Sequence, residues 1–163
     1  MKKNVVYSSY SWIITSVITA VLAGMAIYFT RRDDLVFCYI FLGCLAALIL
    51  CSMYYAPVTI SADNMVVSVS RLVRTRKLPI SEMTSVKLCP PTMGEKRLFG
   101  SGGFLGYWGW FSERDLGRYF AYYGKASDCF FVKMRDGRQY MLGCDGAAEM
   151  VEYIKSSPEY NGD

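Results

Sequence analysis

Two long stretches without a charged side chain constrain this chain more than any other feature. Ser11 to Thr30 contains no Asp, Glu, Lys or Arg, and neither does Leu35 to Ala62. A bilayer core of about 30 Å takes roughly 20 helical residues at about 1.5 Å each, and each stretch supplies them. Arg31-Arg32-Asp33-Asp34 separates the two. Four charges do not rest in hydrocarbon, and so short a link leaves room only for a tight return. The expectation is a transmembrane helical hairpin over 10–55, with spans 10–30 and 35–55 and both chain ends on one side. Tyr10, Trp12, Tyr28, Phe29, Tyr54 and Tyr55 fall where interfacial aromatic belts belong. A cleaved secretory signal is the competing reading of the first stretch; the apolar run continues past the small residues Gly24 and Ala26, and a second full stretch follows, which argues against it.

Within the spans, Ser16, Ala20 and Gly24 recur every four residues, and so do Gly43, Ala47 and Cys51. Such stripes let helix backbones approach closely. The expected use is packing of the two helices on each other, with a homo-oligomer seam as the alternative. No ionisable Asp, Glu, Lys or Arg lies inside either span, which excludes an ion or proton pathway. Lys2, Lys3, Arg71, Arg74, Arg76 and Lys77 lie on the terminal side, against Arg31 and Arg32 in the turn. The positive-inside rule then places both ends, and the domain that follows, on the cytoplasmic face of the inner membrane.

The net charge of +4 comes without a long basic run, so a nucleic-acid partner is not expected. Cys89, Cys129 and Cys144 are widely spaced and odd in number, which fits a reducing compartment. Without histidine or clustered cysteines there is no expected metal site, and no cofactor motif is present.

Division of the chain follows directly: a terminal segment 1–9, the hairpin 10–55, one small domain 56–156 and a tail 157–163. Pro57 stops the second helix. Strand signals run through Val58–Ile60, Met65–Val69, Arg74–Ile80, Ser85–Leu88, Arg118–Tyr123, Cys129–Met134 and Gln139–Leu142. Asp136-Gly137 between the last two is a strong hairpin signal. Asp145 is the expected cap of a final amphipathic helix carrying Ala147, Met150, Val151 and Ile154 at helical spacing. The fold class expected is membrane-anchored α+β: an antiparallel sandwich or barrel of about seven strands closed by a C-terminal helix.

The run Arg97-Leu98-Phe99-Gly100-Ser101-Gly102-Gly103-Phe104-Leu105-Gly106-Tyr107-Trp108-Gly109-Trp110-Phe111, followed by Leu116-Gly117-Arg118-Tyr119, resembles a bacterial pleckstrin-homology-like (PH-like) family. Members follow one or two transmembrane helices with such a domain. The resemblance implies two near-orthogonal sheets with a capping helix over about residues 56–156. It brings no functional residues with it.

The same glycine-aromatic run lacks the GK[ST] of a phosphate loop, and position 105 is Leu where GxGxxG needs glycine. Three uses remain for Phe104, Tyr107, Trp108, Trp110 and Phe111: core packing, a membrane-surface loop bordered by Lys96, Arg97 and Arg114, or partner docking. Arg71, Arg74, Arg76, Lys77, Lys96 and Arg97 are the candidate contacts for anionic lipid. The expected first hairpin loop, Ser61-Ala62-Asp63-Asn64, has no cation, so a specific inositol-phosphate grip is not expected. Glu113, Arg114 and Asp115 would point to alternate faces on a strand and be solvated on a turn, and neither arrangement makes a catalytic set. With no histidine to act as base, no catalytic residues are assigned. The function expected is a non-enzymatic scaffold holding a protein partner or its own oligomer at the membrane, the alternative being an anionic-lipid-responsive module.

Overall fold

The computed structural model describes residues 1–31, 35–92 and 94–162. Both apolar stretches are helical, as α1 (Ser9–Thr30) and α2 (Leu35–Tyr55). Ser8 caps α1, its Oγ accepting the Ser11 amide at 3.1 Å, and the Thr15 and Thr19 hydroxyls donate to carbonyls one turn back. Such internal bonding lets a helix carry hydroxyls without water. Among the described residues α1 is the one helix long and apolar enough to cross a membrane, and its apolar window is unburied. The described apolar part of α2, Tyr39–Tyr55, is shorter. The turn residues 32–34 lie outside the described residues.

The helices touch through α1 Phe29, which meets Phe37 at 4.7 Å and Phe41 at 5.5 Å between ring centroids. The small-residue stripes are not the contact. A methyl group added at Gly24 or Gly43 meets nothing within 4 Å, and Ser16, Ala20, Ala47 and Cys51 are exposed. The contact is instead the ring cluster of Phe29, Phe37 and Phe41, which corrects the packing expected from the four-residue spacing.

Among the described residues, ten strands form two sheets, against the seven or so strands expected. The first sheet runs β1 (Lys2–Asn4), β2 (Pro57–Ala62), β3 (Val66–Arg71) and β4 (Thr75–Pro79), in that spatial order and antiparallel throughout. The second contains β5 (Met83–Leu88), β6 (Lys96–Gly103), β7 (Gly106–Glu113), β8 (Gly117–Tyr123), β9 (Cys129–Met134) and β10 (Gln139–Gly143), in the order β5-β9-β10-β8-β7-β6. Its pairings are antiparallel except β8 with β10. The β9–β10 hairpin folds back so that β10 lands beside β8, running the same way.

The three strands beyond those expected have separate causes. β1 precedes α1 and is too short to show a period; pairing of Lys2 with Ser61 and Asn4 with Thr59 makes it an edge of the first sheet. Val5 behind it is buried in the core. The first residues therefore belong to the domain, and the helical hairpin is an excursion from it. β6 and β7 lie in the glycine-aromatic run, where glycines hide the alternation.

The core lies between the sheets, built from Ile60, Val67, Val69, Leu78, Ile80, Val86, Phe130, Val132 and Leu142. α3 (Ala147–Lys155) closes one end with Ala147, Met150, Val151 and Ile154 inward, as its spacing predicts. Its cap is Gly146 at φ 69°, not Asp145, whose amide instead donates to the Asn4 carbonyl at 3.0 Å. Asp145 is drawn back to the first strand, and Lys3 reaches Glu149 in the first turn of α3 at 2.8 Å.

Candidate functional site

The foot of α2 is bound to both sheets by aromatic and cationic contacts. Tyr55 stacks on Trp108 of β7, with centroids 5.4 Å apart and planes 12° apart. The Arg71 guanidinium, at the end of β3, lies 5.4 Å from the Tyr54 ring, 5.9 Å from Tyr55 and 5.6 Å from Tyr122 of β8. Each such contact contributes on the order of 0.5–2 kcal/mol. Arg71 can take this position because β3 and β4 part there: its amide and its Nε both donate to the Arg74 carbonyl, at 3.2 and 3.1 Å, closing a tight turn. Leu72 and Val73 stand exposed at its tip.

Below this turn the two sheets diverge around a cavity of about 760 Å³. One wall is cationic, formed by Arg71, Arg74, Arg76 and Lys77, with Arg138 from the β9–β10 hairpin opposite. The floor is aromatic: Tyr54, Tyr55, Trp110, Phe120, Tyr122 and Tyr140. Among the described residues no acidic side chain lines it. Arg76 donates to the Tyr140 hydroxyl at 3.0 Å, and Arg74 lies 3.5 Å from the Tyr54 hydroxyl. Arg138 pairs with Asp136, whereas among the described residues no carboxylate pairs with Arg71, Arg74, Arg76 or Lys77. Burial holds the Tyr122 phenol above its usual range, with Arg71 and Arg76 pulling it partly back. The site therefore presents cations and neutral hydroxyls to whatever enters, the donor set suited to an anion.

Strand alternation arranges the cations. Arg76 pairs with buried Val69 across β3–β4 and shares the inward face with Leu78, while Lys77 sits opposite Ser68 and reaches the rim. Of the six cations picked from the sequence, four meet in this cavity. Lys96 and Arg97 are exposed on β6 and do not line it.

The five aromatics do not form one exposed loop, because the run is the β6–β7 hairpin and its side chains alternate. Phe111 is buried against Tyr119, and Tyr107 stacks on Tyr123 at 4.7 Å, both on the outer face of the second sheet. Trp108 and Trp110 point the other way, towards Tyr55 and Phe120. Phe104 is half-buried at the hairpin turn beside Leu105, which sits at φ 51° with its amide donating to Thr15 Oγ1 of α1 at 3.1 Å. Only Trp110 of the five lines the large cavity. Tyr54 and Tyr55, expected only as interfacial aromatics, join Phe120, Tyr122, Tyr140 and Arg138, which the sequence did not mark. They are scattered from residue 54 to 140, and only sheet pairing unites them; the parallel register Tyr140 with Phe120 and Leu142 with Tyr122 is the joining step.

A second polar cluster lies on the outer face. Glu95 accepts hydrogen bonds from the Tyr119 and Tyr123 hydroxyls, the latter at 2.7 Å. Burial lifts its carboxyl above the usual carboxylate range, the two tyrosines opposing that rise, and pushes both phenols upward as well. Glu113 ends β7 and is buried, as the strand alternative allowed, with Thr92 donating to its Oε1 from both the amide (3.1 Å) and the hydroxyl. Arg114 and Asp115 beside it are exposed. These carboxylates tie Thr92 and Glu95 to the strands of the second sheet.

The fold and cavity define an α+β protein with an N-terminal apolar helix, two β-sheets, a closing C-terminal helix and a cationic-aromatic site at a helix foot. Compared with known protein families, curated proteins and solved structures, the chain matches none.

Proposed function

We propose that this protein is a non-enzymatic module anchored in the inner membrane by both helices, with its domain facing the cytoplasm, that holds anionic headgroups at the bilayer surface. The observation that carries this reading is the cavity at the foot of α2, where four cations without carboxylate partners adjoin Tyr54 and Tyr55. A helix that leaves the bilayer at those tyrosines puts the cavity at headgroup depth, where anionic lipid is concentrated. Exposed Leu72 and Val73, between Arg71 and Arg74, suit the same zone. The PH-like resemblance is compatible with this role and adds no residue to it.

The test uses the full chain in phosphatidylcholine vesicles doped with brominated phosphatidylglycerol or brominated phosphatidylcholine. Tryptophan quenching should be stronger with the anionic lipid, and should weaken in high salt and in Arg74→Gln. Equal quenching by the two lipids overturns the reading.

A scaffold is the second reading, favoured by β6. This eight-residue strand is an edge of the second sheet, with Leu98 and Phe99 exposed on it. Such an edge pairs readily with an added strand. Crosslinking between Cys-substituted Leu98 residues of two chains in vesicles would support self-association, and its absence at high protein density would count against it.

A further inference from the structure

We infer that the cavity selects a phosphate carrying close to two negative charges, a phosphomonoester or diphosphate headgroup, over the singly charged phosphodiester of common anionic lipids. This rests on the membrane reading above and names the ligand class of the same site. Arg71, Arg74, Arg76 and Lys77 gather four positive charges around one space, with no carboxylate among its described lining residues. Like charges lining one cavity raise one another's energy, and a ligand with one negative charge leaves more of that repulsion in place than one with two. A phosphomonoester carries about −1.5 to −2 at neutral pH and three terminal oxygens, against one charge and two oxygens for a diester.

The donors match that demand. Each guanidinium has five N–H groups. Arg71 commits its Nε to the Arg74 carbonyl, Arg74 one nitrogen to Tyr54 and Arg76 one to Tyr140. Each therefore keeps donors beyond those engaged, with Arg74 and Arg76 already oriented against tyrosine hydroxyls and Arg71 against a backbone carbonyl. An orientation fixed in advance lowers the entropic cost of gripping a ligand. Three acceptor oxygens on one phosphorus can meet two arginines at once, which a diester's two cannot do with fork geometry on both.

An apolar slot adjoins the charged wall. A smaller cavity of about 80 Å³ shares Tyr55, Trp110 and Phe120 with the larger one and adds Phe99 and Trp108. Trp110 meets Phe120 edge to face at 5.3 Å. A cationic wall beside an aromatic slot, both at the foot of the apolar helix α2, fits a ligand with a charged end and an apolar end. The shared chemistry is the phosphomonoester, and its source is either a lipid or a soluble phosphate ester.

The experiment places the full chain in phosphatidylcholine nanodiscs and follows tryptophan emission, with Trp110→Phe to identify the cavity's share of the signal. Phosphatidic acid and phosphatidylglycerol are compared at equal total surface charge, and glycerol 3-phosphate is titrated into discs of phosphatidylcholine alone. Phosphatidic acid should act at about tenfold lower surface charge, the effect of one added charge-assisted hydrogen bond. That preference should vanish in Arg76→Gln and in Arg74→Gln, the latter being exposed and therefore safe for folding. Saturation by soluble glycerol 3-phosphate would support the phosphomonoester and assign its source to solution. Equal responses to the two lipids at matched charge would overturn the inference while leaving the membrane reading intact. A response to neither lipid would sink both.

Discussion

Gly109→Ala should be among the most destabilising single-methyl changes available, and the reason lies in one cross-strand pair. Gly109 of β7 stands opposite Gly100 of β6, and both have φ near 120°, at 121° and 120°. A Cβ built on Gly109 falls 2.2 Å from the Phe99 carbonyl oxygen and 2.7 Å from Gly100 Cα. That is roughly 1 Å inside the ~3.3 Å at which carbon meets carbonyl oxygen in sheets. Both obstacles are backbone, so no side chain can swing aside and the strands must part. The φ value alone costs about 1–3 kcal/mol in a residue with a Cβ. Losing one or two ladder hydrogen bonds adds about 1 kcal/mol each. The total expected is about 2–5 kcal/mol, a large share of a stability margin of about 5–15 kcal/mol.

Gly137→Ala is the matched control. It also has positive φ, at 83°, in the Asp136-Gly137 turn, but a Cβ there meets nothing within 4 Å. Its cost is the backbone term by itself, about 1–2 kcal/mol. Urea unfolding of the full chain in detergent micelles, read by near-ultraviolet circular dichroism, compares the two midpoints. Equal losses for the two variants would refute the argument that close backbone approach, and not conformation alone, requires glycine in the β6–β7 hairpin.

Glu95 predicts a pH dependence. Because burial raises its folded pKa, the folded state keeps a proton that the unfolded chain gives up in the ordinary carboxylate range, so its contribution to stability falls as pH rises from that range through the raised value. Glu95→Gln should flatten this decline in unfolding midpoints measured as pH rises above the ordinary carboxylate range; an unchanged slope would assign the dependence to other groups. Gly24→Ala and Gly43→Ala should be neutral or stabilising by up to about 1 kcal/mol, since alanine favours helix and the added methyl meets open space. A loss of more than about 1 kcal/mol in thermal unfolding would show that the stripes are contacts after all. Among the domain thiols, Cys89 should react first with a maleimide near pH 7.5, because Cys129 and Cys144 are buried and burial lifts the Cys144 thiol to about 11 and Cys129 higher. Mass-spectrometric mapping of faster labelling at Cys144 would contradict that order.

Local pattern determined a definite part of this protein. Uncharged stretches of membrane length could be little else than helices, and α1 and α2 begin and end close to where charge and Pro57 place them. β2, β3, β5, β8, β9 and β10 were legible because β-branched and aromatic residues mark them, and Asp136-Gly137 marks the last hairpin. The inward face of α3 followed from helical spacing. Each of these signals acts within a few residues, so a linear reading captures it.

What remained needed residues distant in sequence to meet. β1 exists because β2, more than fifty residues later, offers it an edge. The glycine-aromatic run became two strands because Gly100 and Gly109 let their backbones close on each other, which no period along the chain announces. Glu113 suited a strand or a solvated turn equally until Thr92 folded over it. The cavity was the least legible feature of all. Arg71 and Arg76 could be picked out as cations, but their meeting with Tyr55, Trp110, Phe120 and Tyr140 depends on the register of two sheets and on β10 landing parallel to β8. Side-chain period says which face a residue takes; only tertiary pairing decides what stands across from it.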